Sequence, residues 1–198
     1  MTDEPKVRPL RTLPMDLGVA LAVLVALGLG LLLFLDTAGR TKVYQSADTP
    51  FQMAYPATWM DATSLQDVLL KVEDPQADSA FKTALTVESR ELDPQSPPTL
   101  QTLLDRRVEQ RSALTGYHFL ANAEATVGGL KAMQLQYVYV VQPIDEPRRA
   151  SLPVVVQARE YIVVAPDRTY YITLAAPENE FARASAQFDR MLQTVQAS

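Results

Sequence analysis

The chain has 198 residues, 47% of them hydrophobic and 21% charged, which excludes a largely disordered polymer. A formal net charge of −5 argues against a nucleic-acid partner, because such proteins carry a basic face. Cysteine is absent, so disulfides, thiolate metal sites, cysteine nucleophiles and lipid attachment through cysteine are all excluded.

Residues 1–14 are polar and hold Pro5, Pro9 and Pro14, the composition of a short disordered tail. A transmembrane helix is expected over 15–36. Its uncharged run, LGVALAVLVALGLGLLLFL from Leu17 to Leu35, is bracketed by Asp16 and Asp36. As a helix this run measures roughly 28 Å, close to the hydrocarbon thickness of a bilayer. A signal peptide is the competing reading, but its apolar region is shorter, about 7–15 residues, and Thr37-Ala38-Gly39 makes a poor cleavage site. Lys6, Arg8 and Arg11 precede the run, whereas Arg40 and Lys42 follow it. The positive-inside rule then predicts a single-pass cell-membrane protein with a cytoplasmic N-terminus and an extracytoplasmic C-terminal domain. Gly18, Ala22, Ala26 and Gly30 recur every four residues, a ridge on which a second helix can pack, although glycine and alanine are common in membrane helices anyway.

Residues 37–49 read as a linker, and 50–198 as one α+β domain. Strands are expected at 51–55, 68–72 and 84–92, the last beginning with the alternation Leu85, Val87, Ser89. After Pro94, Pro97 and Pro98, Thr99 is placed to cap a helix running to about Leu114, with Leu100, Leu103, Leu104 and Val108 on one face and Gly116 as its stop. Strands 119–127 and 130–141 flank Gly128-Gly129 as a hairpin. A polar loop with Pro143, Pro147, Arg148 and Arg149 leads to strands at 154–164 and 169–175. A final helix opens at Pro177 with the stripe Phe181, Ala184, Phe188, Met191, Leu192 and Val195. Short turns make the sheet antiparallel, and the two amphipathic helices flank it.

No residue set points to catalysis. His118 is the only histidine and has no second histidine or cysteine to complete a nitrogen or sulfur metal site. Ser79-Ala80-Phe81-Lys82 matches S-x-x-K but lacks the companion elements of that mechanism. Glu73, Asp74 and Asp78 fit no calcium loop. Arg106, Arg107 and Arg111 read as a solvated, ion-paired helix face. Trp59 reads as core packing in preference to a stacking platform. Tyr137 and Tyr139 share a strand face, and if no helix covers it they are the best candidates for contact with a partner. No cofactor, metal or catalytic residue is expected.

The opening FQMAYPATW, residues 51–59, and the close RTYYITLAAPENEFARASAQFDRMLQTV, residues 168–195, resemble the PsbP-like family, whose namesake is the extrinsic subunit of photosystem II. The resemblance covers roughly 50–195. It implies a central antiparallel sheet with helices on its faces and a scaffolding, stabilising or partner-binding role, not an enzyme. Metal binding attributed to some relatives does not carry over to a chain with one histidine. The expected function is a non-catalytic, membrane-anchored accessory domain that binds a protein partner, such as a subunit of an envelope or electron-transfer complex. The alternative is a tethered module for a lipid or other apolar ligand, which requires a pocket between helix and sheet.

Overall fold

The computed structural model describes residues 14–46, 48–62, 68–93, 95–142 and 152–197. The tail over 1–13 and the polar loop around Pro143, Pro147, Arg148 and Arg149 lie outside these residues. The chain divides into two compact units, Met1–Arg40 and Thr41–Ser198.

The first unit contains α1 (Pro14–Ala38). Pro14, read as the end of the tail, is its first residue, a position where the missing N–H costs nothing. Side chains described from Gly18 to Leu33 are exposed. Among the described residues no helix is long and apolar enough to cross a membrane; the expected span, 15–36, extends past those whose side chains are described.

The second unit runs β1 (Thr41–Gln45), β2 (Phe51–Pro56), β3 (Met60–Asp61), β4 (Val68–Glu73), β5 (Ala84–Glu91), α2 (Leu100–Ser112), β6 (His118–Val127), β7 (Leu130–Val141), β8 (Val154–Val164), β9 (Arg168–Pro177), α3 (Glu178–Leu192) and β10 (Gln196–Ala197). A seven-stranded antiparallel sheet has the order β3-β4-β5-β9-β8-β7-β6, and a small sheet has the order β1-β2-β10. The segment read as a linker, 37–49, therefore holds a strand: β-formers Thr41, Val43 and Tyr44 pair with β2.

Alternation along β9 builds two cores. Tyr170, Ile172, Leu174 and Ala176 face one side, where β2 contributes Phe51, Met53 and Tyr55 and α3 contributes Ala184, Phe188 and Met191. Trp59 lies in this core, 2% exposed, as packing. Tyr171 faces the other side, where α2 lays Leu103 and Leu104 over Leu135, Tyr137, Ala158 and Ile162. A sheet covered on both faces explains why β9 reads as a nearly continuous apolar run from Tyr170 on.

Local chemistry fixes the ends. The Thr99 hydroxyl accepts from the Thr102 N–H at 3.2 Å and caps α2. Gly128 and Gly129, at φ 57° and 80°, form the two-residue turn between β6 and β7. A Cβ on Gly128 would come within 2.7 Å of the Val195 carbonyl oxygen, so this turn also holds the chain that follows α3.

Candidate functional site

The densest polar cluster lies between α2 and the large sheet. Within β8, Ala158, Glu160 and Ile162 face α2, and Glu160 is wholly buried. Arg107 on α2 donates through Nε to Glu160 and through Nη2 to Glu88 on β5, the latter at 2.8 Å. One turn later, Arg111 Nε donates to the second Glu160 oxygen at 3.2 Å, and the Tyr137 hydroxyl donates to that oxygen at 3.4 Å. The Arg107 guanidinium lies over the Tyr171 ring, 4.5 Å from its centre, and Arg111 lies 5.8 Å from that of Tyr137. Two arginines thus face two carboxylates, and the cluster is neutral.

The electrostatics follow from this closure. Burial alone would push the Glu88 carboxyl up. The Arg107 hydrogen bond and charge, with Arg111 and Arg90, overcome it and hold Glu88 below the ordinary carboxylate value. Burial drives the Tyr137 phenol far above its usual value, and the Glu160 charge adds to the effect. Tyr139 is pushed up to about 12 by burial, against the pull of Arg111. Each charge is committed to a partner, so the cluster offers no activated base or nucleophile. It fastens α2 to the sheet.

The neighbouring residue does the same on the opposite face. Arg159 reaches α3, donating to the Asp189 carboxylate at 2.5 Å and to the Ser185 carbonyl at 3.0 Å, with its guanidinium 5.2 Å from the centre of the Phe188 ring. The dipeptide Arg159-Glu160 is where both helices are ionically tied to one strand.

Several expectations change against this geometry. Arg107, read as solvated, is 4% exposed, because its helical position faces Glu160; Arg106 is exposed as expected. Tyr137 is not an open partner surface: it is 1% exposed beneath α2, ring to ring with Tyr117 and Tyr139, and Tyr139 is half-buried at the rim. His118 is exposed at the start of β6, and no group of three metal-ligating side chains occurs among the described residues. The Ser79 hydroxyl accepts from the Phe81 N–H and Lys82 donates to the Ala77 carbonyl, which accounts for both ends of the S-x-x-K match. Asp74 accepts from the Gln76 N–H in a tight turn. Gly18, Ala22, Ala26 and Gly30 are exposed along α1, and a Cβ on Gly18 or Gly30 would meet nothing within 4 Å. Glu88 and Glu160 went unnoticed in the sequence. The available signal was alternation, which puts Glu160 on the same strand face as the apolar Ala158 and Ile162 of VVVQAREYIVV.

The space between α2 and the sheet is filled by Leu103, Leu104, Leu135 and Ile162 together with the ion pairs. A cleft of about 630 Å³ lies between the start of α2 (Thr99, Leu100, Gln101) and the β6–β7 hairpin (Glu124, Lys131, Met133).

No family model and no curated protein matches the chain. Solved structures do. Cyanobacterial PsbP from Synechocystis sp. PCC 6803 superposes over 80% of this chain and 92% of its own, with 13% identity and a TM-score of 0.58. The chain has the PsbP-like fold. LpqN of Mycobacterium tuberculosis, described as involved in cell envelope biogenesis, matches this chain over 80% of its length and 91% of LpqN, with 14% identity and a TM-score of 0.58. PA94 of Pseudomonas aeruginosa, a protein of unknown function, matches over 81% and 99%, with 13% identity and a TM-score of 0.53. At these identities the likeness is one of fold.

Proposed function

We propose that this chain is a non-catalytic accessory domain, held at a membrane by its N-terminal helix and acting on the extracytoplasmic side by binding a protein partner. The observation that carries the reading is the joining, in one chain, of α1 with its uncharged run 17–35 to a PsbP-like domain whose first strand begins at Thr41. Nineteen uncharged apolar residues in a helix match a bilayer core. The stripe Gly18, Ala22, Ala26 and Gly30 gives that helix a face on which a second one can pack. An envelope setting is supported by LpqN, which shares the fold. The non-catalytic character is supported by the buried charges, which are consumed by one another.

The test uses the full chain in its own membranes. It should stay in the pellet after an alkaline carbonate wash, and protease added outside spheroplasts should remove 41–198. Release by carbonate would refute the anchor, and protection of the domain would refute the orientation. In mild detergent the chain should co-purify with a stoichiometric partner protein. Purification without any other protein would refute the accessory role.

A further inference from the structure

We propose that two copies of this chain pair through β6, antiparallel and centred on Ala123, extending the seven-stranded sheet across a two-fold axis. The inference concerns the domain surface and does not depend on whether α1 crosses a membrane.

The large sheet has two ends. One is β3, of 2 residues, too short to template another strand. The other is β6, of 10 residues, HFLANAEATV, with no proline and no lysine. Its one irregularity is the register shift between Phe119 and Ala121, which leaves 121–127 regular. The residues from His118 to Glu124 are all exposed, and no described strand pairs with the outer side of β6. An edge of this length, without lysine, proline or a central bulge, has Glu124 as its one central guard against strand addition, and only a register that pairs this carboxylate favourably can form.

The register with β7 says which backbone groups are free. In a two-residue hairpin the flanking pair, here Val127 and Leu130, exchanges both hydrogen bonds. By the two-residue period, Ala125, Ala123 and Ala121 also bond to β7, and Asn122, Glu124 and Thr126 turn their N–H and C=O groups outward. A symmetric pair must therefore match outward residues with outward residues. Centring on Glu124 sets two carboxylates directly opposite each other, which is unfavourable. Centring on Ala123 sets Asn122 opposite the Glu124 of the second copy, twice by symmetry, an amide against a carboxylate. On the other sheet face the same register sets Ala121 against Ala125 and Ala123 against Ala123, where side chains of this size do not collide. This hydrogen-bonding and size complementarity of β6 to itself selects a second copy over an unrelated strand.

The absence of cysteine makes the register directly readable. Ala123 would form a non-hydrogen-bonded pair with itself, with Cα atoms about 4.5 Å apart, within disulfide range. Ala121 would sit roughly 13 Å from its symmetry mate, out of range. The full chain carrying Ala123→Cys should form a disulfide-linked dimer under mild oxidation, and Ala121→Cys, equally exposed, should not. Adding Asn122→Glu to Ala123→Cys places like charges opposite each other at both ends of the pairing and should slow cross-linking about tenfold. No cross-link in Ala123→Cys, equal cross-linking in the two cysteine variants, or indifference to Asn122→Glu would each overturn the proposal. All three positions are exposed, and an unchanged emission of the buried Trp59 verifies the fold of each variant.

Discussion

Glu160→Gln removes one charge and almost no volume from the cluster under α2. In the parent chain Arg107 and Arg111 are balanced by Glu88 and Glu160, with the Arg107 side chain 5% exposed and that of Glu160 fully buried. The variant leaves one positive charge unmatched around Glu160, a position that water does not reach. Breaking a buried pair by removing one partner costs about 3–5 kcal/mol. For a domain of this size that corresponds to a drop of roughly 6–20 °C in melting temperature. Trp59, the only tryptophan and 2% exposed, reports unfolding by fluorescence in the full chain in mild detergent. Arg106→Gln, on the exposed side of the same helix, is the control and should shift stability by no more than about 0.5 kcal/mol. If Glu160→Gln melts within about 1 kcal/mol of the parent, the ion pairs are not what ties α2 to the sheet.

Phe188 is fully buried and meets the Tyr161 ring edge-on at 5.8 Å, so Phe188→Ala should cost about 3–5 kcal/mol in the same melt. Gly128→Ala should cost more than Gly129→Ala: both residues have positive φ, which costs a side chain about 1–2 kcal/mol, but only Gly128 also faces the Val195 carbonyl. Equal melting temperatures would show that the turn and the α3 exit are not in contact. Stability should fall at both extremes of pH. Glu88 has a lowered pKa in the fold, so its contribution is full above the ordinary carboxylate value and drains as pH falls through the lower folded one. Tyr139 is raised to about 12, so its contribution is full below about 10 and is lost as pH rises towards 12. Denaturant midpoints measured across pH check both signs.

The long strands and both domain helices were legible because their signals are local. Thr99 caps α2, Gly128-Gly129 turns the hairpin, and Phe181 to Val195 repeat at helical spacing. The strands β3 and β10, of two residues each, carry no periodicity to read, and β1 was hidden because its five residues gain their structure from β2. The charged cluster was illegible for a different reason. Arg107 and Glu160 are 53 positions apart, and no spacing rule connects them until β8 is placed under α2. The same step reversed the reading of Tyr137: alternation gave its face correctly, but which face a helix covers is a tertiary fact.

The position of β9 has a consequence for how the chain becomes a protein. This strand, Arg168–Pro177, lies between β5, Ala84–Glu91, and β8, so no direct ladder joins β5 to β8. A growing polypeptide can form the hairpin of β4 and β5 and the meander of β6, β7 and β8 from neighbouring sequence, but these remain two separate pieces. Only when the last thirty or so residues arrive can β9 bridge them and α3 close over the result, so loop closure across about eighty residues comes late. Synthesis that stops short of Arg168 yields two half-sheets with open edges, the species most prone to clump. Near-complete chains of this protein that lack β9 should therefore be the clients of chaperones and proteases.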